Sequence, residues 1–338
     1  MKEKAYNEMS AFKKLEDCWN DLLEESSSND IFLTWQWQST WWTHFGKGKE
    51  LGLLAVRSKE GDLLGLAPFF LESLSNCERV VEFIGGTDIT DYLDIIVQSG
   101  SEEDVCREIV DFLESIQDDW DSVDLHCLKE TSIALNVLKP IIIERGYSVT
   151  VSQEDVCPKI ILPSSWNDYL DLLSKKDRHE LRRKIRRIEG KSQSVYNKNI
   201  EDQDSLVSGM EQFFSLHRDS NSQKKSFMHG NMEAFFQAIA HTLFAENWFK
   251  LSFLHRNGTS LASSLCFEYE NKTYLYNSGY DPKNSSLSPG IVHVAHLIRE
   301  AIEAGRMEFD FLRGNEPYKY RFGARDSYIY RMIIKKID

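Results

Sequence analysis

The sequence predicts a mixed α/β protein made of two similarly built halves, and three observations carry that prediction. Its 338 residues exceed the one to two hundred of a typical domain. Antiparallel hairpin signals stand beside helix-linked strands, which excludes a purely parallel sheet. One order of elements also runs through the chain twice: helices, an antiparallel meander, a glycine-containing loop, a helix and a strand. Hydrophobic residues make up 41% and aromatics 12%, and a chain of this length buries roughly three quarters of its unfolded surface. A disordered or fibrous protein is thereby excluded.

The first half opens with helical spacing, since Phe12, Leu15, Trp19, Leu22 and Leu23 share a face and Ser10 stands at the capping position. A second helix, Thr34 to Phe45, holds Trp35, Trp37, Trp41 and Trp42. So many indoles predict that most pack the core while one or two wall a ligand cleft. Residues 51–71 read as a hairpin turning at Glu60-Gly61-Asp62. Strands 80–84 and 93–97 flank the loop Gly85 to Tyr92, which has backbone freedom and the carboxylates of Asp88 and Asp91. Helix 102–117, strand 121–127, helix 131–145 and strands 147–152 and 158–162 follow.

After Pro163 the order begins again. Helices are predicted over 165–188, 202–220 and 231–246, and strands over 248–256, 259–270 and 272–280. The first two of these strands are joined at Asn257-Gly258, a strong hairpin signal. Helix 290–305, strand 307–312, an irregular stretch to about 326 and a strand over 327–335 complete the chain. The boundary belongs near residues 155–165, giving domains 1–160 and 161–338.

A net charge of −13 argues against attraction of the whole molecule to DNA or another polyanion. That total averages two unlike halves: residues 1–160 hold 14 basic and 31 acidic residues, net −17, and the remainder is net +4. The six cysteines are scattered, with no C-x-x-C pair, so reduced thiols in a cytoplasmic protein are expected rather than a disulfide framework or a structural zinc. The charged N-terminus does not read as a signal peptide, and no stretch approaches the roughly 18 apolar residues of a transmembrane segment. Asp88 and Asp91 lack the further oxygens that a hard cation needs, so no metal is expected. Nucleophile-elbow, P-loop and dinucleotide motifs are missing from the sequence.

Three segments could carry chemistry. In Ser285-Ser286-Leu287-Ser288-Pro289-Gly290-Ile291-Val292, the amides of Ser288, Gly290, Ile291 and Val292 could cradle a pyrophosphate at a helix start. The same residues could simply begin a helix, with Ser288 as cap and Pro289 first. In Phe309 to Gly323 a buried strand runs into a polar turn where Glu316 could act as base, Tyr318 as acid and Lys319 as oxyanion partner; a solvated surface turn is the alternative. Residues 172–191 carry 9 basic and 3 acidic groups, and Leu181, Ile185 and Ile188 at helical spacing leave a basic face. That face could meet a phosphorylated substrate, nucleic acid or an anionic membrane, or pair with the acidic half. His217, in Phe213-Phe214-Ser215-Leu216-His217, reads as a satisfied helix residue or a site residue.

Together these features resemble the GNAT-superfamily acetyltransferases of the CelD/BcsL type, linked to cellulose or envelope polysaccharide synthesis, and more distantly the FemAB peptidyltransferases. The resemblance rests on residues 32–42, Asp91-Tyr92, the basic helix 178–189, Phe213 to His217, Ser288-Pro289-Gly290 and, most specifically, FDFLRGNEPYKYRFG at 309–323. It implies tandem GNAT-like domains, with the acyl-donor site in the second. On that footing Ser288, Gly290, Ile291 and Val292 hold the CoA pyrophosphate, and Asp310, Gly314, Glu316, Tyr318 and Lys319 line the acceptor side. The usual phosphate loop of that superfamily is not intact here, so acetyl-CoA or another acyl-CoA is a less secure implication than the fold.

The activity implied is transfer of an acyl group from acyl-CoA to an amine or hydroxyl of a small polar or sugar-containing acceptor. Catalysis falls to Glu316, Tyr318 and Lys319, and acceptor binding to Trp37, Trp42, Asp91, Tyr92, His217 and Asp310. Two rival readings are aminoacyl transfer from aminoacyl-tRNA, with the basic helix 175–191 gripping RNA, and an inactive scaffold beside a polysaccharide synthase.

Overall fold

In the computed structural model, which describes residues 1–190, 194–220 and 230–337, the chain forms two compact units. One comprises Met1–Asp155 and the residues from Ser327 onward, and the other Val156–Asp326.

The first unit has strands β1 (Lys2–Tyr6), β2 (Glu50–Arg57), β3 (Leu63–Ser73), β4 (Arg79–Phe83), β5 (Ile96–Val97), β6 (Ser122–Lys129) and β7 (Ser148–Val156), joined by the chain's last strand, β14 (Tyr328–Lys335). The sheet order is β1-β2-β3-β4-β6-β14-β7, with β5 on β3. Its helices are α1 (Ser10–Glu24), α2 (Trp35–Phe45), α3 (Glu102–Ser115) and α4 (Lys139–Glu144). Thr34 caps α2 by accepting from the Trp37 amide, whereas Ser10 is the first residue of α1 and its hydroxyl donates to Glu8. The predicted helix 131–145 begins as a π turn over Ala134–Leu138. Asp94 caps it, its buried carboxylate accepting from the amides of Ile133 and Ala134 at 2.8 and 3.0 Å.

The predicted domain limits are corrected where the chain crosses between units. Residues 156–160 fall in the second unit because Lys159–Ile161 pairs antiparallel with Glu308–Asp310. The last strand, expected in the second domain, lies in the first: β14 is antiparallel to β6, with Ile329 opposite Lys129 and Lys335 opposite Ser122. A register slip after Tyr330 keeps Ile329, Met332 and Ile334 all buried.

The second unit holds β8 (Lys159–Ile161), β9 (Val195–Asn199), β10 (Phe249–Arg256), β11 (Thr259–Tyr269), β12 (Lys272–Tyr280) and β13 (Glu308–Asp310), in the order β8-β13-β12-β11-β10-β9. Its helices are α5 (Trp166–Leu172), α6 (Lys175–Glu189), α7 (Gln203–Ser220), α8 (Asn231–Ala245), α9 (Pro289–Glu303) and α10 (Pro317–Arg321). The single helix expected over 165–188 is two. Leu173 is extended, and the Ser174 hydroxyl accepts from the Asp177 amide at 3.1 Å to restart the helix. Strands β1 and β9 were not predicted, since neither carries an apolar alternation and both are sheet edges with no buried residue among those described.

Two layers of side chains sandwich this second sheet. On one face α5, α6 and α9 bury Tyr169, Leu181, Val294 and Ile298 against Cys266, Leu275 and Phe309. On the other, Phe213 and His217 of α7 lie against β12, and Phe236 of α8 packs on Tyr276, whose ring also meets Phe267. The pairing of β11 and β12 slips after Leu265, so Asn277 opposes Leu265 and Leu275 opposes Cys266. That bulge sends Tyr276 and Asn277 both toward α7 and α8. Strands β12 and β13 run parallel only from Lys272 to Tyr274 and then part, which leaves a widening gap beside the helix that follows β12.

Candidate active site

The turn after β12 is built by Asp281, whose carboxylate accepts from the Lys283 amide at 3.0 Å and the Asn284 side chain at 2.8 Å. The chain then reverses through Ser288 in the left-handed region (φ 55), and Pro289, which has no amide proton, takes the first helical position. Of the four amides predicted to face an anion, two are already used. Ser288 N donates to Ser285 O at 2.9 Å, and Val292 N to Ser288 O at 3.2 Å. The amides of Gly290 and Ile291 remain as the first-turn donors with no backbone acceptor. The Ser288 hydroxyl makes no cap and instead accepts from Arg187 Nη2 at 3.2 Å.

That bond brings the basic helix α6 to the start of α9. Leu181 and Ile188 are buried and anchor α6, which turns Lys184 and Arg187 toward the same place. Lys184 is half-buried, and burial pulls its ammonium below the ordinary lysine value despite Glu180, with repulsion from Arg321 and Arg187 adding to the effect. Glu180 is committed to a two-pronged pair with Arg183 at 2.7 and 2.8 Å. Lys184, which Glu180 also approaches at 4.0 Å, and Arg321 thus stand beside Ile291, and Arg187 beside Ser288; the sequence reading did not find this group of cations. The crevice lined by Leu181, Lys184, Ile291, Tyr318, Arg321 and Phe322, with Asp177 and Glu180 at its α6 wall, measures only about 30 Å³, room for a water or two, so a larger ligand would lie along its mouth. Two amides, three cations and no acid in the first turn of α9 are a donor set that fits a diphosphate. Lys191, the end of the predicted basic segment, lies outside the described residues.

Segment 310–323 folds around one lysine. Asp310 is buried, and its carboxylate accepts from the Leu312 amide at 2.7 Å, turning the chain out of β13. Lys319 is 2% exposed. Its ammonium donates to the carbonyls of Leu312, Arg313 and Gly314 at 3.0, 2.8 and 2.9 Å and pairs with Glu316 at 2.9 Å. Three protons on three carbonyls leave none for an oxyanion, so the structure makes Lys319 the clasp of this turn rather than the oxyanion partner expected. Gly314 is required here, with φ +109 and a would-be Cβ only 2.7 Å from the Glu316 carboxylate. Glu316 itself is exposed and precedes the first turn of α10.

Tyr318 packs edge-on against Phe311 and shares the crevice with Ile291. Burial, with Glu316 adding, pushes its phenol well above the ordinary tyrosine value, so it keeps its proton throughout the physiological range. The structure thus brings together Ser288, Gly290, Ile291 and Tyr318, with Glu316 and Lys319 on the adjoining turn. Val292 and Asp310 lie in these same two segments, whereas His217 does not come to this place. His217 is buried on the opposite face of the sheet, where Nε2 donates to Asn277 Oδ1 at 2.8 Å. Trp37, Trp42, Asp91 and Tyr92 belong to the first unit. Trp37 is completely buried, with its indole donating to Thr90 at 3.0 Å. Trp42 is buried against Phe70, and Tyr92 is buried beneath the Lys129 ammonium. These three aromatics are core, not a cleft wall.

Two antiparallel strands, a helix that starts with open amides and a strand returning parallel beside them define a GNAT-type arrangement. Residues 175–320 match the family model for an acetyltransferase (GNAT) domain. Nearly the whole chain is similar in fold to FemX, with a TM-score of 0.64 and 11% identity over 98% of this chain and 97% of that one. It is similar to the C-terminal domain of a putative lysylphosphatidylglycerol synthetase from Agrobacterium fabrum (TM-score 0.57, 9% identity, 95% and 92% covered). A tandem GNAT protein from the clavulanic acid biosynthesis pathway also aligns, with a TM-score of 0.51 and 9% identity over 98% of each chain. At such identities the likeness is one of fold, and the fold is the tandem GNAT type. No curated protein matches the sequence. Among the described residues no helix is long and apolar enough to cross a membrane, and no cluster of three or more His, Cys, Asp or Glu could hold a metal.

Proposed function

We propose that the protein is an acyl-CoA-dependent acyltransferase, with acetyl the first acyl group to test, acting on an amine or hydroxyl of a small polar or sugar-containing acceptor. The observation that carries this reading is the meeting of the open Gly290 and Ile291 amides with Lys184, Arg187, Arg321 and the protonated Tyr318. Acyl-CoA supplies the activated thioester. The amides and cations hold the diphosphate, which fixes the donor by charge and direction. Glu316, which is exposed, takes the proton from the attacking amine or hydroxyl, directly or through a water, and Tyr318 gives its proton to the departing sulfur. With Lys319 occupied, oxyanion stabilisation falls to backbone amides. The likeness to CelD/BcsL-type sequences supports a cytoplasmic role in envelope polysaccharide metabolism.

Calorimetry and single-turnover kinetics with acetyl-CoA test the reading. The wild-type protein binds acetyl-CoA and desulfo-CoA, and Tyr318→Phe and Glu316→Gln each slow acyl transfer by about 10²-fold with donor affinity unchanged. Full single-turnover rates in both variants would remove the assigned roles, and absence of any donor binding would leave a GNAT-fold scaffold. Aminoacyl transfer from tRNA is a second reading, supported by the basic helix, and salt-sensitive tRNA binding without acetyl-CoA binding would favour it.

A further inference from the structure

The far side of α6, which the donor site does not use, joins two grooves across α5. One groove, about 720 Å³, is lined by Trp166, Asn167, Lys175, Arg178, Arg182 and Arg186. Arg178 pairs with Asp171, but Lys175, Arg182 and Arg186 form no ion pair among the described residues, and no acid lines the groove. The other groove, about 490 Å³, is walled by Ile161, Leu162, Tyr169, Leu172 and Phe322, with Lys159 and Arg325 at its edge and Asp326 its one acid. Leu172 and Ile161 are each 68% exposed, and Met307, whose carbonyl bonds the Leu162 amide, is 67% exposed. Among the described residues these three are the most exposed large aliphatics of the second unit; Ile161 and Leu172 share the second groove, and Met307 adjoins it through its backbone bond to Leu162.

We infer that this surface docks the second unit on an anionic lipid bilayer, with Ile161, Leu172 and Met307 entering the headgroup boundary and Lys175, Arg182 and Arg186 lying on acidic headgroups. Charge complementarity selects the partner. The chain outside 172–191 is net −19, so only this face is drawn to a negative surface, and a membrane is a partner that rewards both the cations and the bare aliphatics. Half-buried Trp166, its ring tilted against Tyr169 at 5.1 Å, suits the interfacial depth. RNA would engage the arginines but gain nothing from Ile161, Leu172 or Met307.

Cosedimentation with vesicles tests this independently of the acyltransferase reading, because acetyl-CoA affinity is measured in the same samples. The full chain is expected to bind vesicles of 30 mol% phosphatidylglycerol in phosphatidylcholine at least tenfold more tightly than pure phosphatidylcholine. Arg182→Glu with Arg186→Glu, and separately Ile161→Asp with Leu172→Asp, each lower vesicle affinity about tenfold and leave acetyl-CoA binding unchanged; all four positions are exposed, and melting temperature reports folding. Equal binding to neutral vesicles, indifference to the aliphatic substitutions, or salt-sensitive binding of tRNA with no vesicle binding would each overturn the proposal.

Discussion

Helices α3 and α9 stand at matching points of the two units, each leaving an antiparallel strand pair and returning to a parallel strand, β4 to β6 in one and β12 to β13 in the other. Their first turns have opposite character. Helix α3 begins with Glu102, Glu103 and Asp104, and Glu102 folds back to accept from the Gly100 amide at 2.8 Å. Helix α9 has no acid in its first turn and three cations around it. The difference teaches that topology alone does not make an anion site: the same backbone dipole is satisfied internally by carboxylates in one unit and left open to a ligand in the other.

The largest expected effect comes from giving α9 the chemistry of α3. A Cβ at Gly290 meets only the Tyr280 ring, at 3.7 Å, so the backbone accepts a side chain there and Gly290→Glu is the variant to make. Calorimetry should show acetyl-CoA affinity reduced by about a hundredfold or more; unchanged affinity would place the donor elsewhere. Removing the cations is a smaller blow. Lys184→Gln and Arg187→Gln are each expected to cost about tenfold in affinity, less than additively, since both face one anion.

A further test concerns what the first unit does with its charges. Burial works against a charged His126, but the hydrogen bonds it donates to Asp124 and Glu154 prevail and push its imidazolium up to about 9. Because the folded value lies above the unfolded one, this cluster contributes its full stability below pH 6.5 and loses it as the pH rises toward 9. Chemical denaturation at pH 6 and pH 9.5 should show a loss on the order of 1–2 kcal/mol after solvent screening, and His126→Gln should flatten that slope. Least of all should come from Glu103→Gln with Asp104→Asn. Neutralising part of the first turn of α3 is expected to shift stability by less than about 1 kcal/mol and to create no CoA affinity, since Arg107, which pairs with Glu103 at 2.8 Å, is no match for the cations gathered at α9. Measurable binding there would mean that the open amides, not the surrounding charge, decide the matter.

Much of the fold was legible because its signals are local. Asn257-Gly258 turns its hairpin with φ of 52° and 82°, the geometry that this pair favours, and Thr34 caps α2 one residue before the indoles begin. The donor helix was legible for the same reason. The cation cluster was not, because Lys184, Arg187, Ser288 and Arg321 meet only through packing of α6 on α9. Lys319 misled for a physical reason: in a polar run a lysine reads as solvent-facing, and nothing short of the turn's geometry reveals that three carbonyls need its protons. The tryptophans of α2 misled in the same way, as an excess of indoles does not say which end of the helix is capped by core.

Strand β14 sets the order in which the molecule can be made. It lies between β6 and β7, yet it is synthesised after everything from Val156 to Asp326. As the chain leaves the ribosome, the first unit waits with β7 unpaired and the inner edge of β6 uncovered, while the second has all six of its strands and can close. The first unit therefore completes its sheet with a strand that is translated after the second unit, and deleting Tyr328–Lys335 should strike the unit built from the beginning of the sequence.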